Sequence, residues 1–275
     1  MKFLAKKRWP EGIACAKCEK VRKHSFSEKR NCYACNHCGT HIHPTAGTIF
    51  HRSRTPLTVW FYVVFVLSNT RGGVSAKQIE RDTGVTYKTA WRMCDLIRAR
   101  LGSDDDMFGG DDVVVEVDET YYGAKTKEGK RGRGSENKKP IVGIVERGGK
   151  IHAEMIEDVS KKTLEGKIEE RVESGTEIHT DEWVGYSDLD EGGYIHATVA
   201  HGQGEYVRDT PVGKIHTNTI EGFWGNFKMG VKGAHHFVSH KHLNKYLAEH
   251  TFRYNHRNEI RPMFWFMMDR VAVEL

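Results

Sequence analysis

Two Cys-x-x-Cys pairs near the start of the chain constrain its fold more than any other feature. Cys15 pairs with Cys18 and Cys35 with Cys38, and 16 residues separate the two pairs. Each pair fits a tight turn that aims two thiolates at one ion, and a hairpin between the pairs would complete a tetrahedral site. The spacing therefore predicts a zinc ribbon over residues 1–50, in which a structural Zn²⁺ ion supplies most of the folding energy.

A fifth cysteine in this region leaves an alternative set of ligands open. Cys32 also forms a Cys-x-x-Cys pair with Cys35, but a site that used Cys32 would leave Cys38 without a function. Disulfides are the weaker explanation, because the N-terminus has no apolar segment of the signal-peptide type. The longest apolar run has 9 residues, short of the ~20 that a membrane helix needs. A cytoplasmic protein with no membrane partner is expected.

Charge is divided unevenly along the chain. Residues 1–100 carry 19 lysines and arginines against 6 acidic residues, whereas the remaining 175 residues carry 23 against 31. A basic front half indicates a module that binds a polyanion, and an acidic back half indicates a module with another task. Nucleic acid is the expected partner of the front half.

Residues 51–102 have a helical pattern that favours a helix-turn-helix. Ser75 and Thr86 are suited to cap two helices, with a sharp turn at 82–84 between them. The second helix, at about 87–100, is expected to expose a set of aromatic and basic side chains: Tyr87, Lys88, Arg92, Arg98 and Arg100. Such a helix can enter the major groove of DNA, so Tyr87, Lys88 and Arg92 are candidate DNA-binding residues.

The acidic back half alternates strand and helix patterns, which predicts an α/β domain. Strands are expected at 113–118, 141–145, 151–156 and 176–181, with an amphipathic helix at 161–173. Two of these strands end on acids, Asp118 and Asp181. Strand ends are rigid and carboxylate oxygens suit Mg²⁺, so the pair predicts a site for phosphoryl transfer. The segment 125–139 is expected to form a basic loop over this site.

A third ligand is expected from a helix within residues 215–232. Asn218 and Glu221 are three residues apart and therefore share one helix face, and Lys228 lies two turns beyond Glu221 on that face. Lys228 and Lys232 are expected to contact the DNA backbone. Glu221 is the preferred ligand because a carboxylate binds Mg²⁺ better than an amide does, but the choice between Asn218 and Glu221 stays open.

Four segments of the back half resemble the zinc-ribbon DDE transposases of prokaryotic insertion sequences, in their ISXO-like branch. The segments are VDETYYG at 117–123, HTDEWVGY at 179–186, HTNTIEGFW at 216–224 and YLAEHTFRYNHR at 246–257. The resemblance extends over nearly the whole chain and includes the cysteine pairs. It implies a ribonuclease H-like catalytic domain, which we expect over 103–275, behind the ribbon at 1–50 and the helix-turn-helix at 51–102.

The resemblance implies a transposase that cleaves DNA and transfers strands at the ends of an insertion sequence. Its catalytic cofactor would be Mg²⁺ or Mn²⁺, with Asp118 bridging two ions, Asp181 holding one, and Glu221 or Asn218 holding the other. The expected partners are double-stranded terminal repeats, target DNA and a second copy of the chain, and the expected location is the prokaryotic nucleoid. The alternative is a zinc-ribbon DNA-binding regulator whose ribonuclease H-like domain is inactive.

Overall fold

A computed structural model describes residues 1–102, 106–123, 138–211 and 213–273. The chain divides into two compact units. The first comprises Met1–Thr70, Val74–Arg100 and Glu259–Leu275, and the second comprises Arg71–Gly73 and Leu101–Asn258. No helix within the described ranges combines the length and apolar character that crossing a membrane requires.

The first unit begins with short antiparallel strands. They are β1 (Ala14–Cys15), β2 (Lys20–Val21), β3 (His24–Ser27), β4 (Cys32–Cys35) and β5 (His41–Ile42). β1 pairs with β2, whereas β3, β4 and β5 form a three-stranded sheet. The β3–β4 hairpin lies between the two cysteine pairs, which confirms the predicted hairpin.

Helices make up the rest of the first unit. They are α1 (Lys2–Arg8), α2 (Leu57–Asn69), α3 (Ala76–Thr83), α4 (Tyr87–Arg98) and, near the C-terminus, α8 (Met263–Val271). The hydroxyl of Ser75 accepts a hydrogen bond from Gln78 N at 3.1 Å, and that of Thr86 accepts one from Thr89 N at 3.4 Å. Gly84, with φ at 71°, ends α3 in the left-handed region. Both predicted caps and the turn between α3 and α4 are confirmed.

The C-terminal helix α8 packs within the first unit, although the sequence pattern groups 103–275 as one domain. α8 lies against α2, where the rings of Phe65 and Phe264 are 6.4 Å apart. Trp265 reaches the ring of Phe3 on α1 at 5.9 Å. The aromatic residues of α8 thus find their apolar partners in the N-terminal helices, a pairing across more than 190 residues that no local pattern indicates.

A five-stranded mixed sheet organises the second unit. Its elements are β6 (Val114–Gly123), β7 (Lys138–Glu146), β8 (Ile151–Met155), α5 (Lys161–Arg171), β9 (Glu177–Asp181) and β10 (Ile195–Val199). The strand order is β10-β9-β6-β7-β8. β6 and β10 run parallel to β9, whereas β6 is antiparallel to β7 and β7 to β8. The mixed α/β architecture agrees with the prediction.

The rest of the second unit comprises the hairpin β11 (Arg208–Thr210) and β12 (Gly213–Ile215), then α6 (Asn218–His235) and α7 (His240–Asn255). The two helices cover one face of the sheet. Two apolar layers result, because successive side chains of a strand point to opposite faces. Val115 and Val117 of β6 face the α5 layer, while Ile141 and Val145 of β7 face the α6–α7 layer. Most of the predicted basic loop, 125–137, lies outside the described residues, and Lys138 and Lys139 begin β7.

Candidate functional site

The sulfur atoms of Cys15, Cys18, Cys35 and Cys38 form one group in the first unit. All four lie within 4.8 Å of one another. The Sγ–Sγ distance is 3.4 Å between Cys15 and Cys38 and 4.0 Å between Cys18 and Cys35. A tetrahedron with the zinc–sulfur distance found in proteins has edges of about 3.8 Å, so the group fits Zn²⁺. Cys32 is buried but outside the group.

The electrostatics of this group also fit a bound cation. Thr40 Oγ1 lies 3.1 Å from Cys38 Sγ, and this hydrogen bond lowers the pKa of the Cys38 thiol to about 6. The hydrogen bond with Cys38, followed by desolvation, raises the pKa of the Cys18 thiol to about 12. Four crowded sulfurs cannot all be thiolates unless a cation offsets their charge, and Zn²⁺ does so.

The exposed face of α4 agrees only in part with the expected DNA-binding surface. Tyr87 is 50% exposed, and Lys88 and Arg92 are also exposed. Arg98 was expected on the same face but is only 3% exposed, which is a correction. Its guanidinium donates a hydrogen bond to the carbonyl oxygen of Val74 at 3.3 Å and thereby braces the chain just before α3.

Asp118 and Asp181 lie on adjacent strands at the centre of the second unit. β6 and β9 pair in parallel as far as Glu116 opposite His179, and each aspartate lies two residues beyond that pair. Asp181 is the last residue of β9, as predicted. Asp118 is not at a strand end, because β6 continues to Gly123 through its pairing with β7. The expectation for Asp118 was therefore wrong in position, although the two acids are neighbours.

The surroundings of Asp118 disfavour its charged form. Burial, and then the negative charges of Glu119, Asp181 and Glu221, raise the pKa of Asp118 to about 8. The side chains of Asp181 and Glu221 are therefore near enough to act on Asp118 through their charge. A divalent cation among these carboxylates would offset the repulsion and lower the pKa again, so the donor set fits Mg²⁺ or Mn²⁺.

Successive side chains on one face of β6 contact successive turns of α6. Trp224 Nε1 donates to Asp118 Oδ2 at 3.1 Å, and Lys228 Nζ donates to Thr120 Oγ1. Gly143 lies opposite Asp118 on β7, and a Cβ atom there would stand 2.5 Å from the Trp224 ring. The glycine thus lets Trp224 approach the sheet and orient the Asp118 carboxylate.

The first turn of α6 carries both candidates for the third ligand. Glu221 Oε1 lies 3.4 Å from His201 Nδ1 and 3.5 Å from Thr217 Oγ1, and the glutamate side chain is 41% exposed. Asn218, the first residue of α6, is also exposed. Lys232 lies farther along α6 and is exposed, as a DNA-contacting residue must be.

The carboxylates do not form a tight cage of the kind that the cysteines form. Within the described ranges, the cysteine group alone brings three or more potential metal-ligating side chains within 4.8 Å of one another. Mg²⁺ commonly keeps several water ligands and contacts only one or two carboxylates directly, so an open arrangement suits it.

Two residues near this site were missed by the sequence analysis. Glu116 is 0% exposed and forms an ion pair with Arg147 at 2.8 Å. A signal was present, because Glu116 interrupts the apolar run of β6 and a buried charge needs partners. Its partners, however, are distant in sequence. Glu182 directly follows Asp181, and its carboxylate accepts hydrogen bonds from His201 N and Gly202 N, both at 2.7 Å.

A four-cysteine group in a small ribbon, and two aspartates on adjacent strands of a mixed sheet, define a protein with a zinc-ribbon module and a separate α/β domain. The model of the ISXO2-like transposase domain matches residues 109–255, and the model of the transposase zinc-ribbon domain matches residues 1–41. The first match covers more than half of the chain. The chain therefore belongs to the ISXO2-like transposase family, which confirms the resemblance seen in its motifs.

Comparison with solved structures gives a more remote similarity. The Drosophila P element transposase strand transfer complex is 11% identical, with a TM-score of 0.30. The match covers 75% of this chain and 60% of the length of that chain. No curated protein matches the chain.

Proposed function

We propose that this chain is a DDE-type transposase that cleaves DNA and transfers strands at the ends of an insertion sequence, using Mg²⁺ or Mn²⁺. The observation that carries the proposal is the placement of Asp118 and Asp181 on the adjacent strands β6 and β9, with α6, the helix of Glu221, bonded to Asp118 through Trp224. Membership of the ISXO2-like transposase family favours this function over the DNA-binding regulator.

The second unit is assigned a ribonuclease H-like fold. Support comes from its sheet, in which the first strand, β6, is central and lies between an antiparallel partner, β7, and a parallel one, β9. The two central parallel strands supply Asp118 and Asp181, and the helix beside them, α6, supplies the third ligand.

Asp118, Asp181 and Glu221 are the proposed metal ligands, with Asn218 as the alternative to Glu221. When bound, the metal supplies activation of the attacking water or 3′-hydroxyl and stabilisation of the leaving oxygen. Trp224 holds one Asp118 oxygen through its indole N–H, which orients the carboxylate. Lys228, held beside Asp118 by Thr120, brings a positive charge toward the DNA phosphates.

Recognition of DNA is assigned to the first unit. The ribbon and the α3–α4 pair, taken as a helix-turn-helix, would bind double-stranded terminal repeats through Tyr87, Lys88 and Arg92. Lys228 and Lys232 would contact the strands that react. Joining two element ends at one target requires at least a homodimer, and the chain would act on DNA at the prokaryotic nucleoid.

The proposal is tested with purified, zinc-loaded protein and duplex oligonucleotides that carry the inverted repeats flanking its gene. We expect cleavage and strand joining with Mg²⁺ or Mn²⁺, and loss of both by at least 100-fold in Asp118→Ala and Asp181→Ala, at unchanged DNA binding. Glu221→Ala and Asn218→Ala, compared directly, identify the third ligand.

The matched control is Glu154→Gln. Glu154 lies on β8 of the same sheet and pairs with Lys167 of α5, so its substitution should leave cleavage unchanged. Wild-type protein that binds the repeats but never cleaves them would support the regulator instead.

A further inference from the structure

We propose that Glu116 is a positioning residue that fixes the start of α6, and with it the third metal ligand, relative to Asp118. The inference rests on the proposed function. Glu116 lies outside the four motif segments, two positions before Asp118 on the same face of β6.

The Glu116 carboxylate binds the N-terminal turn of α6 directly. It accepts hydrogen bonds from Thr219 N at 2.8 Å and Ile220 N at 3.1 Å, and from Thr219 Oγ1 at 2.8 Å. The first N–H groups of a helix have no partner within the helix and carry partial positive charge. A buried carboxylate therefore both satisfies and attracts them. These bonds fix the first turn of α6 relative to Glu116. Glu221, one residue after Ile220, is fixed with that turn.

Arg147 connects this anchor to the rest of the site. Its Nε donates to Glu116 Oε1 at 2.8 Å, its Nη1 donates to Lys214 O at 2.9 Å, and its Nη2 donates to His216 O at 2.9 Å. The same Nη2 lies 2.8 Å from His179 Nδ1. His179 is two residues before Asp181 on β9. The hydrogen bonds of Arg147 thus tie together β6, β9 and the segment that leads into α6. The two strands supply Asp118 and Asp181, and α6 carries Glu221.

Packing alone does not explain this arrangement. Burying a carboxylate and a guanidinium costs desolvation energy, and apolar side chains of the same size commonly stabilise a fold as well or better. Hydrogen bonds, unlike apolar contacts, fix distance and direction. With Glu116 at Thr219 and Asp118 at Trp224, α6 is held on both sides of Glu221.

The test is calorimetric titration of Mn²⁺ into the full-length, zinc-loaded protein, without DNA. Glu116→Gln keeps the shape of the side chain but places an amide NH₂ among hydrogen-bond donors. We expect it to weaken Mn²⁺ binding by about 10-fold to 100-fold, the usual effect of losing a group that holds a metal ligand in place. Glu154→Gln, which breaks an ion pair on the α5 side of the same sheet, should leave the Mn²⁺ affinity at the wild-type value.

A second variant keeps the test decisive if Glu116→Gln does not fold, as judged by circular dichroism. Thr219→Val removes only the hydroxyl bond to Glu116, and we expect Mn²⁺ binding about 2-fold to 10-fold weaker than wild type. Wild-type affinity in Thr219→Val, or in folded Glu116→Gln, overturns the positioning role. Failure of wild-type protein to bind Mn²⁺ at Asp118 would instead overturn the proposed function.

Discussion

Asp118 shows how one side chain reports on a site formed by distant parts of the chain. Besides its neighbour Glu119 on β6, two of the acids that act on it lie 63 and 103 residues further along the chain. Burial, and then the charges of Glu119, Asp181 and Glu221, raise the pKa of Asp118 to about 8. Such a carboxyl destabilises the fold when it is charged. A cation bound beside it would offset that charge.

Asp118→Asn should therefore stabilise the zinc-loaded protein when no Mg²⁺ or Mn²⁺ is added. Because the folded pKa is raised, the stability that Asp118 contributes is present below its unfolded pKa and is lost as the pH rises toward 8. The advantage of the variant should grow from pH 4 to pH 8 and reach on the order of 1 kcal/mol or more. Melting curves at several pH values measure it. A constant difference at all pH values would contradict the raised pKa.

The cysteine ligands give a second prediction for single residues. Cys38→Ala removes one of four sulfurs and should lose zinc and unfold the ribbon, because the metal supplies most of the stability of so small a module. Cys32→Ala removes a buried sulfur outside the four-sulfur group and should keep one zinc ion per chain. Metal analysis of the purified variants measures both. Zinc loss in Cys32→Ala with retention in Cys38→Ala would reverse the assignment.

Among the elements, β7 and α6 make a close contact that depends on one glycine. A Cβ atom at Gly143 would lie 2.5 Å from the Trp224 ring and 2.7 Å from Ile220. Gly143→Ala should therefore push α6 away from the sheet and destabilise the protein by about 1–3 kcal/mol. It should also lower cleavage activity, since Trp224 orients Asp118.

Gly166→Ala on α5 is the matched control for Gly143→Ala. Nothing lies within 4 Å of the position that its Cβ would occupy, and alanine favours a helix more than glycine does. Its melting temperature should equal or exceed that of the wild type. Equal stability of the two variants would show that α6 does not pack against β7 at Gly143.

The α3–α4 pair yields a prediction about DNA. We expect Lys88→Ala and Arg92→Ala each to weaken binding to the terminal repeats. Each should also reduce the slope of log affinity against log salt concentration by about the contribution of one phosphate contact. Lys162→Ala, which removes an exposed charge from α5, should leave both unchanged. Electrophoretic mobility shifts at several salt concentrations provide the measurement. An unchanged slope in both α4 variants would show that this face of α4 does not contact DNA phosphates.

Across the whole molecule, local chemistry was predictable and long-range packing was not. The ligands of the ribbon, the caps at Ser75 and Thr86 and the strand that ends at Asp181 follow from short patterns. The place of α8 beside α2, and the bonds of Glu116 to α6, depend on residues more than 100 positions apart, which no periodicity encodes. Arg98 was misplaced because its hydrogen-bond partner, Val74, lies outside its own helix, 24 residues earlier in the chain.

The second unit could be predicted as an α/β domain because strand and helix patterns alternate there. The exact extent of its strands could not, since pairing with a neighbour lengthens β6 beyond the apolar run that marks its beginning. The strand and helix patterns predicted Asp118, Asp181 and Glu221 as one set, and the family resemblance implies the same set. The structure places Asp118 and Asp181 on adjacent strands, and their role as metal ligands stays a prediction.

The central claim is that Asp118, Asp181 and Glu221 form one divalent-metal site. Anomalous scattering from crystals soaked in Mn²⁺ tests it most directly. The account predicts an Mn²⁺ peak at coordination distance from Asp118 and Asp181, with Glu221 or Asn218 completing the site. It predicts no such peak in Asp118→Ala. The account would be contradicted if wild-type crystals showed no Mn²⁺ peak, or if the peak lay away from both aspartates.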